Sequence, residues 1–154
     1  MGLIFKSRYF LIQSTMIKHT LSYKGHQIHY YTSGKGPLLV ALHGWPTNAL
    51  LWDAQVAAFQ GHYTVLTLDW LGFGQSDQPA DHAYSFSDQV ALLTQVLAQV
   101  APAPTPITLL AHDIGGPPAI LWAAAQPHRV RQLILLNTIL YPFSTPLEKF
   151  SQVL

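Results

Sequence analysis

Residues 111–115, Ala111-His112-Asp113-Ile114-Gly115, set a carboxylate between two small residues, each two positions away. In a sharp strand-to-helix turn, the central residue is strained and held out over the sheet. Its neighbours must be small because strand and helix approach closely there. The amides and the positive dipole end of the following helix favour an anion at that place. A carboxylate so presented is a candidate for nucleophilic catalysis through a covalent intermediate. Taken alone, Asp113 could equally be a helix cap, because Asp is a preferred cap residue. What else gathers around it decides between the two.

The elements that must position it alternate along the chain. Residues 19–23 and 27–32, joined around Lys24-Gly25-His26, read as a β-hairpin, and residues 33–37 as a turn. Leu38-Leu39-Val40-Ala41-Leu42 is a continuous apolar run, expected of a strand buried on both faces. A helix is predicted over 49–59, a strand over 63–68, a Gly/Ser/Asp/Pro loop over 70–84, and a helix over 86–100. Ser85 or Ser87 caps that helix, and Pro102, Pro104 and Pro106 stop it. A third buried strand over 107–111, a helix over 116–125 stopped by Pro127, and a last strand over 132–136 complete the pattern. The class is α/β: an open, mostly parallel sheet of six strands with three helices on its two faces.

Composition fits a globular core and excludes several functions. Of 154 residues, 49% are hydrophobic and 10% charged, which argues against disorder. The net charge is +1 and the eight Lys and Arg residues are scattered, so nucleic acid is not an expected partner. Without cysteine, disulfides and thiol chemistry are excluded. The first fifteen residues carry Lys6 and Arg8 and then only the short apolar patch Tyr9-Phe10-Leu11-Ile12, too short to span a membrane. They are read as a disordered extension before a functional start at Met16, with a secretory signal as the alternative. Residues 16–142 are read as a partial core and 143–154 as the start of a cap or linker. No membrane association and a cytoplasmic location are expected.

Ligands of open parallel sheets bind beyond the carboxyl ends of the strands. Three segments fall there: His43-Gly44-Trp45-Pro46, the run from Asp69 to Pro79 with Gly72 and Gly74, and His112-Asp113-Ile114-Gly115-Gly116. With these motifs in this order, the chain resembles the α/β-hydrolase superfamily over roughly residues 17–142. Within it, the chain looks like the N-terminal half of the Asp-nucleophile branch, the epoxide hydrolases and haloalkane dehalogenases. The resemblance implies that Asp113 attacks carbon and forms an alkyl-enzyme ester. A histidine-activated water then hydrolyses the ester at the aspartate's own carboxyl carbon. The backbone N–H groups of Trp45 and Ile114 would form the oxyanion hole. Pro46 would fix the turn that aims the Trp45 amide, through a cis bond at Trp45-Pro46. A small-molecule substrate is implied, and neither cofactor nor metal.

Dehalogenases of this pattern usually carry Trp after the nucleophile, where its indole N–H holds the halide; Ile114 cannot. The His-Gly-aromatic-Pro pattern at 43–46 looks more like epoxide hydrolases. These also commonly carry Trp after the nucleophile, so Ile114 departs from both. An epoxide hydrolase-like activity is the reading, with a dehalogenase-like one as the alternative.

The other polar candidates have structural readings. His43 is expected to hold its loop by hydrogen bonds, His112 to pack away from the nucleophile, and His128 to face water. Asp69 is expected to tie down the loop after it. Ser76 is no nucleophile, lacking small neighbours on both sides. Asn137 stands where some relatives keep a catalytic carboxylate, but an amide cannot stabilise a charged histidine as a carboxylate does. In the family's order the acid and the histidine follow later, beyond a cap that supplies ring-opening tyrosines; Tyr141 comes too early for that role. The strand at 132–136 is then an apolar edge open to a partner or to self-association. An inactive remnant or interaction module, and a split enzyme completed by a second chain, are the competing functional readings.

Overall fold

The computed structural model describes residues 15–139. The expected N-terminal extension up to residue 14, Tyr141, Pro142 and the segment 143–154 lie outside the described residues.

The chain opens with an antiparallel hairpin, β1 (Ile17–Tyr23) and β2 (His26–Ser33). Lys24 and Gly25 between them both have positive φ, 50° and 85°. That is the backbone of a two-residue turn whose twist matches its strands. Next come β3 (Leu38–Leu42), a 3-10 turn (Ala49–Trp52) leading into α1 (Asp53–Phe59), and β4 (Thr64–Leu68). The helix expected over 49–59 thus begins as 3-10 turn, with Asn48 accepting a hydrogen bond from the Leu50 amide. Further on are α2 (Phe86–Val100), β5 (Ile107–His112), a short turn at Asp113–Gly115, α3 (Gly116–Ala125) and β6 (Val130–Leu136). Ser85, not Ser87, caps α2: its hydroxyl accepts from the Asp88 amide.

The six strands lie in the order β1-β2-β4-β3-β5-β6. The hairpin joins antiparallel through β2 and β4, and the other four strands run parallel. Period-two alternation sends Leu38, Val40 and Leu42 of β3 to one face and Leu39 and Ala41 to the other. The first face packs against Leu92, Leu93, Val96 and Leu97 of α2 and Ala119 and Trp122 of α3. The second, smaller cluster takes in Trp52 and Val56. This two-sided burial explains why β3 reads as an unbroken apolar run. Arg129 is buried, donates to the carbonyls of Ala101 and Thr105, and lies 5.5 Å from the Trp122 ring centroid. It ties the end of α2 to the start of β6. Among the described residues β6 pairs only with β5, and Ile134 and Leu136 are exposed. No helix among those residues is long and apolar enough to cross a membrane.

The hairpin is pinned to the first turn of α2 by Asp88. Its Oδ1 accepts from the Tyr23 hydroxyl at 2.8 Å and from Lys24, and its Oδ2 pairs with His82 Nε2 at 2.7 Å. Burial pushes the Asp88 carboxyl up, but the bonds from Lys24, Tyr23 and His82 together outweigh it and hold it below its ordinary value of 3.8. A depressed carboxyl contributes stability above its unfolded value, and that contribution is lost as pH falls through the folded one. The gap in urea midpoint between wild type and Asp88→Asn is therefore expected to narrow from about pH 6 to about pH 3. A gap unchanged over that range would contradict this account.

Candidate active site

The carboxyl ends of β3, β4 and β5 bring together the three segments singled out in the sequence. At the end of β5 the backbone of His112 is still extended, and Asp113 then turns to φ 53°. A non-glycine residue in that region costs about 1–3 kcal/mol and persists only where its surroundings hold it. Gly115 shows one of those constraints: a Cβ there would fall 2.5 Å from the His43 carbonyl oxygen and 2.8 Å from that of Leu42. Pro117 and Pro118 then open α3 where a helix needs no internal N–H partner.

Asp113 is half-buried, and its Oδ1 accepts the Trp45 backbone N–H at 2.8 Å. Among the described residues Oδ2 accepts no hydrogen bond, and no histidine bonds either oxygen. The close approach depends on Gly44, where a Cβ would meet the Asp113 Cβ at 2.3 Å and Oδ1 at 2.5 Å. The Trp45-Pro46 peptide is cis, and the Trp45 side chain is half-exposed. The Gly44 carbonyl accepts from the Thr47 amide and hydroxyl, closing the loop on itself. Ile114 follows in the first turn, where N–H groups have no acceptor within the helix.

His43 is fully buried, and its ring makes no hydrogen bond to the Asp113 carboxylate. Its Nδ1 faces the Gly44 carbonyl at 3.0 Å and so must donate; its Nε2 faces the Trp70 amide at 3.3 Å and so must accept. Both ring nitrogens are thereby committed in a neutral ring. Burial is the main reason its pKa is lowered, outweighing the upward pull of Gly44 and Asp69. The Trp70 indole donates back to the His43 carbonyl at 3.0 Å. His112 is half-buried, and its Nδ1 has no hydrogen-bond partner among the described residues. His128 is exposed.

Asp69 ties three elements together. Its Oδ1 accepts the Ala49 amide at 2.8 Å, and its Oδ2 accepts the Gln75 amide at 2.9 Å and the Tyr31 hydroxyl at 3.1 Å. Burial first, then the charge and hydrogen bond of Asp69, push the Tyr31 phenol up to about 12. Ser76 is buried with its hydroxyl on the Asp69 carbonyl.

One contact was not readable in the sequence. The Thr138 hydroxyl, just past β6, donates to the backbone carbonyl of Asp113. Asn137 beside it has φ 42°. The only hint is position: a hydroxyl residue two beyond a strand end. Among the described residues no group of three or more His, Asp or Glu side chains is placed to hold a metal ion.

Known proteins share this fold. The family described as alpha/beta hydrolase fold matches residues 37–153. A cis-3-alkyl-4-alkyloxetan-2-one decarboxylase of Shewanella oneidensis is 32% identical over 127 residues, 79% of this chain and 38% of that protein. Epoxide hydrolase 4 of Mus musculus is 33% identical over 116 residues, 73% of this chain and 32% of that protein. The crystal structure of a haloalkane dehalogenase from Agrobacterium tumefaciens superposes with a TM-score of 0.75 at 27% identity, covering 90% of this chain and 47% of that one. The chain therefore spans less than half the length of these relatives. The family match over residues 37–153, with a superposition that covers 90% of the chain, places the chain in the α/β-hydrolase fold family.

Proposed function

We propose that this chain carries the nucleophilic half of a hydrolase that forms an alkyl-enzyme ester on Asp113, with an epoxide as the electrophile. The observation that carries the reading is the carboxylate at φ 53° with Oδ1 held by the Trp45 amide and Oδ2 accepting no hydrogen bond among the described residues. In the first step Oδ2 attacks a ring carbon, the carbon–oxygen bond of the epoxide breaks, and the released alkoxide takes a proton from solvent, which the water added in the second step gives back. Oδ1 becomes the ester carbonyl oxygen, already facing an N–H donor. In the second step water adds to the Asp113 carboxyl carbon, and negative charge develops on Oδ1. The Trp45 and Ile114 amides stabilise it, and collapse expels the diol and restores the carboxylate. A carboxylate is a weak nucleophile, so alignment must supply much of the rate.

The relatives support an electrophilic carbon as the target, since their names include an epoxide hydrolase and a haloalkane dehalogenase. The oxetan-2-one in the name of another relative is likewise a strained oxygen ring. Ile114 offers no side-chain donor to a halide, which favours the epoxide over the dehalogenase-like alternative. An inactive module that presents the β6 edge to a partner is the reading that remains if no chemistry occurs.

Intact-mass spectrometry after incubation with a styrene-type epoxide, and separately an alkyl bromide, tests the assignment. With no histidine bonded to Asp113 to activate water, the ester is expected to accumulate. A gain of the whole epoxide mass supports the epoxide reading. A gain of the alkyl group from the bromide alone replaces it with the dehalogenase-like one. No gain with either, from a chain folded by circular dichroism, removes the case for activity in this chain.

A further inference from the structure

We propose that Thr138 is a positioning residue that aims and polarises the Ile114 amide, an inference that rests on the reading of Asp113 as nucleophile. The carbonyl oxygen of Asp113 and the N–H of Ile114 belong to one planar trans peptide and point in opposite directions. Fixing one therefore fixes the other. That carbonyl accepts two hydrogen bonds, from the Gly116 N–H that closes the first turn and from the Thr138 hydroxyl. The peptide following a strained φ of 53° is thus held by a donor just past β6, the neighbour of β5, as well as by its own turn. Donation to a carbonyl also draws electrons from the amide nitrogen, which makes the opposite N–H a better donor.

The close approach is built into the sequence of α3. A Cβ on Gly116 would fall 1.8 Å from Thr138 Oγ1, although the φ of Gly116, −67°, would accept any residue. The glycine leaves room for the hydroxyl rather than serving the backbone. Thr138 touches neither substrate nor carboxylate in this role. It acts through the peptide that ends in the Ile114 donor.

The consequence is a selective one. Formation of the ester consumes charge on the carboxylate, whereas its hydrolysis creates an oxyanion on Oδ1. Loss of the Thr138 hydroxyl should therefore slow hydrolysis much more than alkylation. At alkaline pH, hydroxide can stand in for an enzyme base. It adds to the Asp113 carboxyl carbon, the bond from that carbon to the alkyl oxygen breaks, and the departing alkoxide takes the proton of the new acid. Removing an oxyanion donor outright costs about 100- to 1,000-fold. Misaiming one through Thr138→Val is expected to slow decay of the trapped ester about tenfold, with ester formation changed less than about threefold.

The experiment uses the whole chain, alkylated with a styrene-type epoxide and followed by intact mass at alkaline pH. Wild type, Thr138→Val and Thr138→Ser are compared, each first checked for folding by circular dichroism. Serine, which keeps the hydroxyl, should restore the wild-type decay. In parallel, the 15N resonance of Ile114 is followed without substrate. Loss of a hydrogen bond to the preceding carbonyl should move it upfield in Thr138→Val but not in Thr138→Ser. Equal decay rates in wild type and Thr138→Val overturn the proposal, as does an unmoved Ile114 resonance. If wild type forms no ester, the reading of Asp113 fails, and the resonance alone then decides whether Thr138 aims the amide.

Discussion

Gly44→Ala is expected to reduce alkylation of Asp113 by at least about 100-fold while leaving a folded chain. The reason is distance. The added methyl would sit 2.3 Å from the Asp113 Cβ and 2.5 Å from its Oδ1, and both belong to a residue fixed in an uncommon backbone conformation. Rotation of the carboxylate can move Oδ1, but the Cβ is fixed by the Asp113 backbone, so the loop 43–46 must retreat. The Trp45 N–H bond to Oδ1, 2.8 Å in the native arrangement, is then lost. Overpacking of this kind costs about 1–3 kcal/mol in stability. Gly61→Ala is the matched control, because a Cβ there meets nothing within 4 Å and its φ is not positive. Alkylation rates followed by mass, beside urea melts of both variants, check the prediction. Wild-type rates in Gly44→Ala would mean that the Trp45 amide has no part in presenting the carboxylate.

Asp69→Ala carries the largest expected loss of stability. The carboxylate is 2% exposed and accepts from Ala49, Gln75 and Tyr31, which lie before α1, in the loop after β4 and on β2. Removing it leaves one buried donor, the Ala49 amide, and two part-buried ones without their acceptor, and each orphaned donor costs about 1–3 kcal/mol unless water reaches it. A total of about 3–5 kcal/mol is expected, or a fall in Tm of roughly 6–20 °C for a domain of this size. Asparagine should not rescue it. Whichever oxygen becomes the amide nitrogen, it faces at least one N–H that needs an acceptor. The Tyr31 phenol gives an independent reading: raised to about 12 partly by Asp69, it should titrate lower in Asp69→Ala, as seen in ultraviolet absorbance. A phenol unmoved by the substitution would show that burial alone holds it.

The features legible in the sequence are those fixed by neighbours along the chain. The hairpin turn needs only Lys24-Gly25, the elbow only residues 111–116, and the loop after β3 only His43 to Pro46. The apolar run of β3 disclosed its burial on both faces because its two-sided packing demands apolar residues at every position. Contacts set by the order of strands were not legible. Tyr31 meets Asp69 because β2 lies beside β4, and Thr138 meets Asp113 because β6 lies beside β5. Neither adjacency is written in local periodicity. The clamp of Arg129 on Ala101 and Thr105 is of the same kind: a scattered basic residue by composition, a buried donor by topology. His43 was readable as structural, but the commitment of both its ring nitrogens emerges only once Trp70 is beside it.

Attack on carbon by the Asp113 carboxylate would leave its mark on one residue. The most direct measurement is peptide mapping by mass spectrometry of the chain after reaction with the styrene-type epoxide, beside Asp113→Asn. The account predicts a single ester, located on Asp113 in wild type and absent from the variant. An ester on another carboxylate, or equal labelling of Asp113→Asn, would contradict it.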